Sequence, residues 1–126
     1  MGGFLMKIRI LAVLAAAFGL ALGAAPVASA NSFSDRYLGA GAHLSYNDGT
    51  DTLCLWYVSS GSYRASLTAE PTVAGRGPTI NLSVGPGQRK CASLATAYED
   101  SHYDYYGAVA SSCRCFIHRY SGGFYS

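Results

Sequence analysis

Residues 52–84 read TLCLWYVSSGSYRASLTAEPTVAGRGPTINLSV, and the period of their apolar positions decides the fold class. Thr52 to Ser59 is apolar on both faces, with Cys54, Trp56 and Val58 on one side and Leu53, Leu55 and Tyr57 on the other. That pattern belongs to a strand in the middle of a sheet. Ser60-Gly61 turns the chain. Ser62 to Ala69 then alternates, which directs Tyr63, Ala65, Leu67 and Ala69 inward and Arg64, Ser66 and Thr68 outward. Glu70 to Pro78 carries Pro71, Gly75, Gly77 and Pro78 and reads as a loop. Pro78 to Val84 alternates again, with Ile80, Leu82 and Val84 inward.

Outward from this stretch the same period continues, broken by turn residues. Ala42 to Tyr46 is a short strand, and Asn47-Asp48-Gly49-Thr50-Asp51 is a hairpin turn built on Asp-Gly. That turn carries oxygen ligands but neither the spacing nor the closing Glu of an EF-hand calcium loop. Asn31 to Gly41 is a polar lead-in without a period. Gly85-Pro86-Gly87 is a second turn. Cys91 to Ala97 is a short strand or a helical turn, and Tyr98 to His102 is a polar corner. Tyr103 to Tyr120 is the longest strand-like stretch, bent or split near Ser111-Ser112. Ser121-Gly122-Gly123 opens a loose or edge-pairing tail. About seven short strands with closely spaced turns predict an all-β chain folded as a small immunoglobulin-like β-sandwich. Its expected core includes Leu53, Leu55, Leu67, Ile80, Leu82 and Val109.

The first 30 residues have a different composition. Lys7 and Arg9 precede an uncharged apolar run from Ile10 to Leu22, and the small-residue segment GAAPVASA closes on Ala28-Ser29-Ala30. This is the layout of a secretory signal peptide with cleavage before Asn31, the apolar run being shorter than the roughly 20 residues that cross a bilayer. The expected organisation is a signal peptide over 1–30 and one secreted β domain over 31–126. All seven acidic residues and all basic residues except Lys7 and Arg9 lie in the mature segment, whose formal charge is therefore zero. A neutral domain has no electrostatic basis for holding nucleic acid or, once the leader is gone, an anionic membrane.

Cys54, Cys91, Cys113 and Cys115 form an even set in a short exported chain, which reads as two disulfides. Cys113 and Cys115 are two apart in a strand-like run, so they point to one face and are poorly placed to bridge each other. The expectation is then that they bridge separately to Cys54 and Cys91, either as 54–113 with 91–115 or as 54–115 with 91–113. A Cys-x-Cys metal site is the competing reading, and an oxidising compartment disfavours it. No cofactor is expected.

Catalytic signatures are sparse. There is no Gly-x-Ser-x-Gly, and His43, His102 and His118 have no motif around them. Glu99, Asp100 and Asp104 cluster around His102, as a solvated corner or a weak divalent-cation site. The expectation is a non-enzyme that acts by binding. Its candidate surface is the sheet face that carries the exposed members of Tyr103, Tyr105, Tyr106 and Tyr120, with Trp56; Tyr105 and Tyr106 must face opposite ways in a regular strand, and exposed tyrosine rings stack on sugars while their hydroxyls bond to them. The expected partner is a polysaccharide or an extracellular protein. The alternative is a small inhibitor of a secreted hydrolase presenting Glu70 to Pro78 or Gly85 to Arg89 as a rigid loop. A hydrolase would need His102 or His118 in a cleft beside an acid and a nucleophile.

Two resemblances add to this. Tyr46 to Cys54, Cys91 to Asp100 and the ending Phe124-Tyr125-Ser126 resemble the small exported β proteins of actinomycete bacteria, over nearly all of the mature segment. That resemblance implies a fold and a compartment but no activity. The hairpin leading into Leu53-Cys54 and the Gly85-Pro86-Gly87-Gln88 turn are similar to the tendamistat-type α-amylase inhibitors, which are two-disulfide β-sandwiches. The inhibitory Trp-Arg-Tyr triplet of that family is missing here: the chain has Trp56-Tyr57 and, apart from it, Tyr63-Arg64. The Cys-x-Cys spacing departs from that family too.

Overall fold

A computed structural model describes residues 31–126; the predicted signal peptide over 1–30 lies outside the described residues. Eight strands run in the order β1 Phe33–Gly39, β2 Ala42–Asn47, β3 Thr52–Tyr57, β4 Arg64–Pro71, β5 Ile80–Val84, β6 Arg89–Ser93, β7 His102–Ala110 and β8 Phe116–Tyr125. They form two antiparallel sheets, β1-β2-β3-β6 and β5-β4-β7-β8. The described residues contain no helix.

The alternation expected of the sequence is the alternation that packs the sheets. Leu53, Leu55 and Tyr57 of β3 are buried against Ala65, Leu67 and Ala69 of β4, Leu82 and Val84 of β5, and Val109 of β7. Ile80 is only partly buried and packs against the margin of this cluster. Each fully buried Leu stabilises by about 1.5–3 kcal/mol through loss of apolar surface to water. An aromatic group closes one end of the core: Phe124 stacks on Tyr103 at 5.5 Å and meets Tyr46 at 5.1 Å and Phe33 at 5.9 Å. The Tyr103 hydroxyl satisfies itself by donating to the Pro78 carbonyl at 2.9 Å.

The turns hold the hairpins in register. In Asn47–Asp51 the Asn47 side chain accepts the Thr50 amide at 3.1 Å, and Asp51 takes φ 49°, a left-handed conformation that Asp tolerates. Gly87 supplies φ 71° in the turn that carries the chain from the second sheet back to the first.

Several expectations need correction. The polar lead-in is a strand. Phe33–Gly39 pairs with β2 as an edge strand, and register shifts at both of its ends scramble the burial alternation that would have announced it. There are eight strands rather than about seven. Tyr63 is 37% exposed instead of inward, because β4 starts only at Arg64.

The disulfides differ most. Cys54 bridges Cys91, and Cys113 bridges Cys115. Cys54 and Cys91 sit directly opposite each other on β3 and β6, with Cα atoms 4.1 Å apart. Cys113 and Cys115 are not in a strand. Ser111 to Cys115 is the turn between β7 and β8, closed by the Arg114 amide on the Ser111 carbonyl at 3.0 Å, with Arg114 at φ 59°. The same-face argument holds only for extended backbone, and here the left-handed residue between the two cysteines turns their side chains toward each other.

Candidate binding surfaces

The outer face of the second sheet is ordered in rungs. Because Ala65, Leu67 and Ala69 bury inward, the intervening residues of β4 face out, and pairing fixes what lies beside each of them. One rung holds Ser83, Ser66, Ala108 and Arg119. The next holds Asn81, Thr68, Tyr106 and Ser121. On one side of these, Arg64 lies opposite Ala110, which faces Phe116. On the other, Glu70 lies opposite Asp104. The small side chains Ala108 and Gly107 between Tyr106, Phe116 and Arg119 leave a groove of about 710 Å³. Its lining sets hydroxyls and the Asn81 amide beside Leu67, Leu82, the Arg119 guanidinium and three aromatic rings, of which Tyr106 and Phe116 are 52% and 54% exposed.

The polar groups of the groove are already oriented. Thr68 donates to Asn81 Oδ1 at 2.8 Å, and Arg64 Nε reaches Ser83 Oγ at 3.3 Å. The Arg119 guanidinium lies 4.2 Å above the Phe116 ring. Tyr120 forms part of the wall. Its hydroxyl donates to the Ser66 carbonyl, and burial raises its pKa above the ordinary phenol value.

Of the five candidate aromatic residues, Tyr106 is the one that stands exposed on this face. Tyr103 and Tyr105 are buried in the core, where the strand period puts them on the face opposite Tyr106. Tyr106 and Tyr120 share the groove. Trp56 belongs to the outer face of the other sheet.

There Trp56 is one step in a ladder that crosses all four strands of the first sheet. Tyr37, His43, Trp56 and Arg89 are successive cross-strand partners. Tyr37 and His43 rings lie 5.1 Å apart, His43 stacks on Trp56 at 5.2 Å and 9°, and Arg89 lies 4.6 Å over the far side of Trp56. Asp35 holds His43 Nδ1 at 2.7 Å. Both faces of the indole are thus covered within the protein, which leaves its edge rather than its face to solvent. Sequence reading found Trp56 alone. Tyr37, His43 and Arg89 are solitary in the sequence, and only strand pairing unites them. A second depression of about 620 Å³ beside the ladder is lined by Ser45, Tyr46, Asn47, Thr52 and Arg89, among others.

His102 stands beside an acid and a hydroxyl. Its Nδ1 lies 2.6 Å from Thr72 Oγ1 and 3.7 Å from Asp104 Oδ1, and Thr72 donates to Asp104 Oδ2 at 2.9 Å. Catalytic relays place the imidazole between nucleophile and carboxylate through its two different nitrogens. In this cluster both partners gather at Nδ1, outside the groove. His118 Nε2 lies 2.9 Å from the Leu38 carbonyl and pins β8 to β1. Among the described residues no group of three or more His, Cys, Asp or Glu side chains is arranged to hold a metal ion, and no helix is long and apolar enough to cross a membrane. The two disulfides fit an extracellular environment.

Compared with protein-family models, with curated proteins and with solved structures, the chain matches none of them.

Proposed function

We propose that the chain is a secreted, non-catalytic binding domain that takes neutral polysaccharide in the groove of its β5-β4-β7-β8 sheet. The observation that carries this reading is the pair of rungs Ser83-Ser66-Ala108-Arg119 and Asn81-Thr68-Tyr106-Ser121. They set hydroxyl and amide groups beside an exposed tyrosine ring. Sugars offer the complementary pattern of hydroxyls and flat C–H faces. The leader-like sequence before Asn31 and the disulfides support export. We also read the sandwich as immunoglobulin-like. Counted from β2, the sheets β2-β3-β6 and β5-β4-β7-β8 exchange the chain at β3–β4, β5–β6 and β6–β7, a Greek-key wiring with β1 added at the edge. Its Cys54–Cys91 bridge joins neighbouring strands of one sheet, unlike the inter-sheet bridge of antibody domains.

The test is retention of residues 31–126 on insoluble cell-wall and plant polysaccharides at low and high salt. Retention that salt leaves unchanged, that Tyr106→Ala abolishes and that Tyr37→Ala spares is the expected result. No retention on any matrix refutes the reading.

One observation favours inhibition of a secreted hydrolase as a second reading. The Glu70–Pro78 loop is tied at both ends, by the Thr72 amide on the His102 carbonyl at 2.9 Å and by Arg76 Nε on Ser101 Oγ at 3.0 Å. It holds Val73 60% exposed between these ties. A pre-ordered loop of this kind loses little entropy on docking. Inhibition of amylase, xylanase or protease that Val73→Asp removes would establish it.

A further inference from the structure

We propose that Cys113–Cys115 is a thiol–disulfide exchange site, reducible by low-molecular-weight or protein thiols in the folded protein, while Cys54–Cys91 is a structural staple.

Four observations converge on it. Ring size comes first. The two cysteines are separated by 2 positions, against 37 for Cys54 and Cys91. The bond's contribution to the fold and the fold's contribution to the bond are reciprocal. On chain-entropy grounds folding therefore strengthens Cys54–Cys91, relative to the unfolded chain, by about a hundredfold more than it strengthens Cys113–Cys115, so the short bridge opens at little cost to the fold. The β3–β6 ladder also holds Cys54 opposite Cys91 whether or not the bond exists, whereas only the Ser111–Cys115 turn holds the other pair.

The second observation is access. Every residue from Ser112 to Arg119 is exposed, both cysteines of the turn included, whereas in the other bridge Cys91 is exposed on the edge strand and its partner Cys54 is only 6% exposed. Exposed disulfides are the labile ones.

Third is charge. No acidic residue occurs after Asp104, Arg114 stands between the two cysteines, Arg119 follows on β8, and Arg64 is paired at the base of the hairpin to Ala110. Cations beside a cysteine favour the thiolate that exchange requires.

The fourth observation gives the exchange a direction. Ser111 Oγ lies 2.9 Å from Cys113 Sγ. A disulfide sulfur has no proton, so the hydroxyl donates, and it is placed to stabilise negative charge developing on Cys113.

The step that follows is balanced. An external thiolate attacks Cys115 Sγ. An S–S bond forms between them while the Cys113–Cys115 bond breaks, and its electron pair leaves on Cys113 Sγ under the Ser111 hydroxyl. A second external thiolate attacks the sulfur of the first, releasing Cys115 as thiolate. Two thiols are oxidised to one disulfide, and the two cysteine sulfurs take up the two protons.

The experiment exposes the native domain to graded dithiothreitol, traps free thiols with N-ethylmaleimide and maps the label by mass spectrometry, with circular dichroism recorded alongside. The expected result is label on Cys113 and Cys115 at dithiothreitol concentrations that leave Cys54 and Cys91 unlabelled, with the β spectrum unchanged. A Cys113→Ser/Cys115→Ser variant should fold and take no label in that range. Ser111→Ala should slow the first reduction by about two- to tenfold and leave the second unaffected. Simultaneous labelling of all four cysteines, earlier labelling of Cys54 and Cys91, or labelling of Cys113 and Cys115 only on unfolding would overturn the proposal. An unchanged rate in Ser111→Ala would overturn the assignment of Cys113 as the leaving sulfur.

Discussion

Removing each disulfide in turn should have very different effects on stability. In a chain-entropy estimate, a bridge of sequence separation 37 withdraws about 3.8 kcal/mol of freedom from the unfolded chain, and one of separation 2 withdraws about 1.2 kcal/mol. The crossed pairing expected from sequence would enclose longer loops at Cys113 and Cys115, so that removing either of those bridges would cost about 3–4 kcal/mol. Cys113→Ser/Cys115→Ser should therefore lower stability by only about 1 kcal/mol, or roughly 4–8 °C in Tm for a domain of this size. Cys54→Ala/Cys91→Ala should cost about three times as much. Guanidinium unfolding of the two double variants against the parent, with m compared to keep the unfolded states commensurate, measures both. Under the crossed pairing each double variant would break both bridges, so equal losses of about 7 kcal/mol, or failure of both variants to fold, would refute the observed pairing and, with it, the account of the Ser111–Cys115 turn.

Three further outcomes follow from the packing. Leu55→Ala removes a fully buried side chain at the centre of β3 and should cost about 2–5 kcal/mol by urea unfolding, whereas Tyr106→Ala on the outer face should stay within about 0.5 kcal/mol. Gly107→Ala should cost about 3 kcal/mol or prevent folding, since its new methyl would collide with the Ser66 carbonyl oxygen and meet the Tyr120 ring at 2.7 Å, and backbone cannot yield as a side chain can. Burial raises the phenol pKa of Tyr46, Tyr103 and Tyr120 above the ordinary 10.0. Their contribution to stability is therefore full below pH 10.0 and is lost as pH rises toward the folded-state values. Tyrosinate absorbance of the native protein above that pH should fall short of the unfolded chain's by these three rings, and full ionisation without unfolding would contradict their burial.

What was legible in the sequence was local. Ala65, Leu67 and Ala69 alternate with polar residues because β4 is buried on one side only, and that single strand already implies which side chains look into the groove. The opposition of Tyr105 and Tyr106 follows from the same period, which separates a core ring from an exposed one. β1 stayed hidden because an edge strand with two register shifts buries little more than Leu38. The Tyr37-His43-Trp56-Arg89 ladder and the rungs of the groove were illegible for a different reason. Their members come from three or four strands, and residues distant in sequence carry no mark of being neighbours. The Cys113–Cys115 bridge was misread because a strand rule was applied across a turn, where one left-handed residue, Arg114, changes the direction of both side chains.

The most direct test of the binding account is to add a soluble oligosaccharide, cut from a polysaccharide that retains the protein, to the isotope-labelled domain and to follow amide chemical shifts. The account predicts that Ser66, Thr68, Asn81, Tyr106 and Ser121 shift together and saturably while Tyr37, His43 and Trp56 stay still. Shifts confined to the first sheet, or no saturable shift at any of the groove residues, would contradict it.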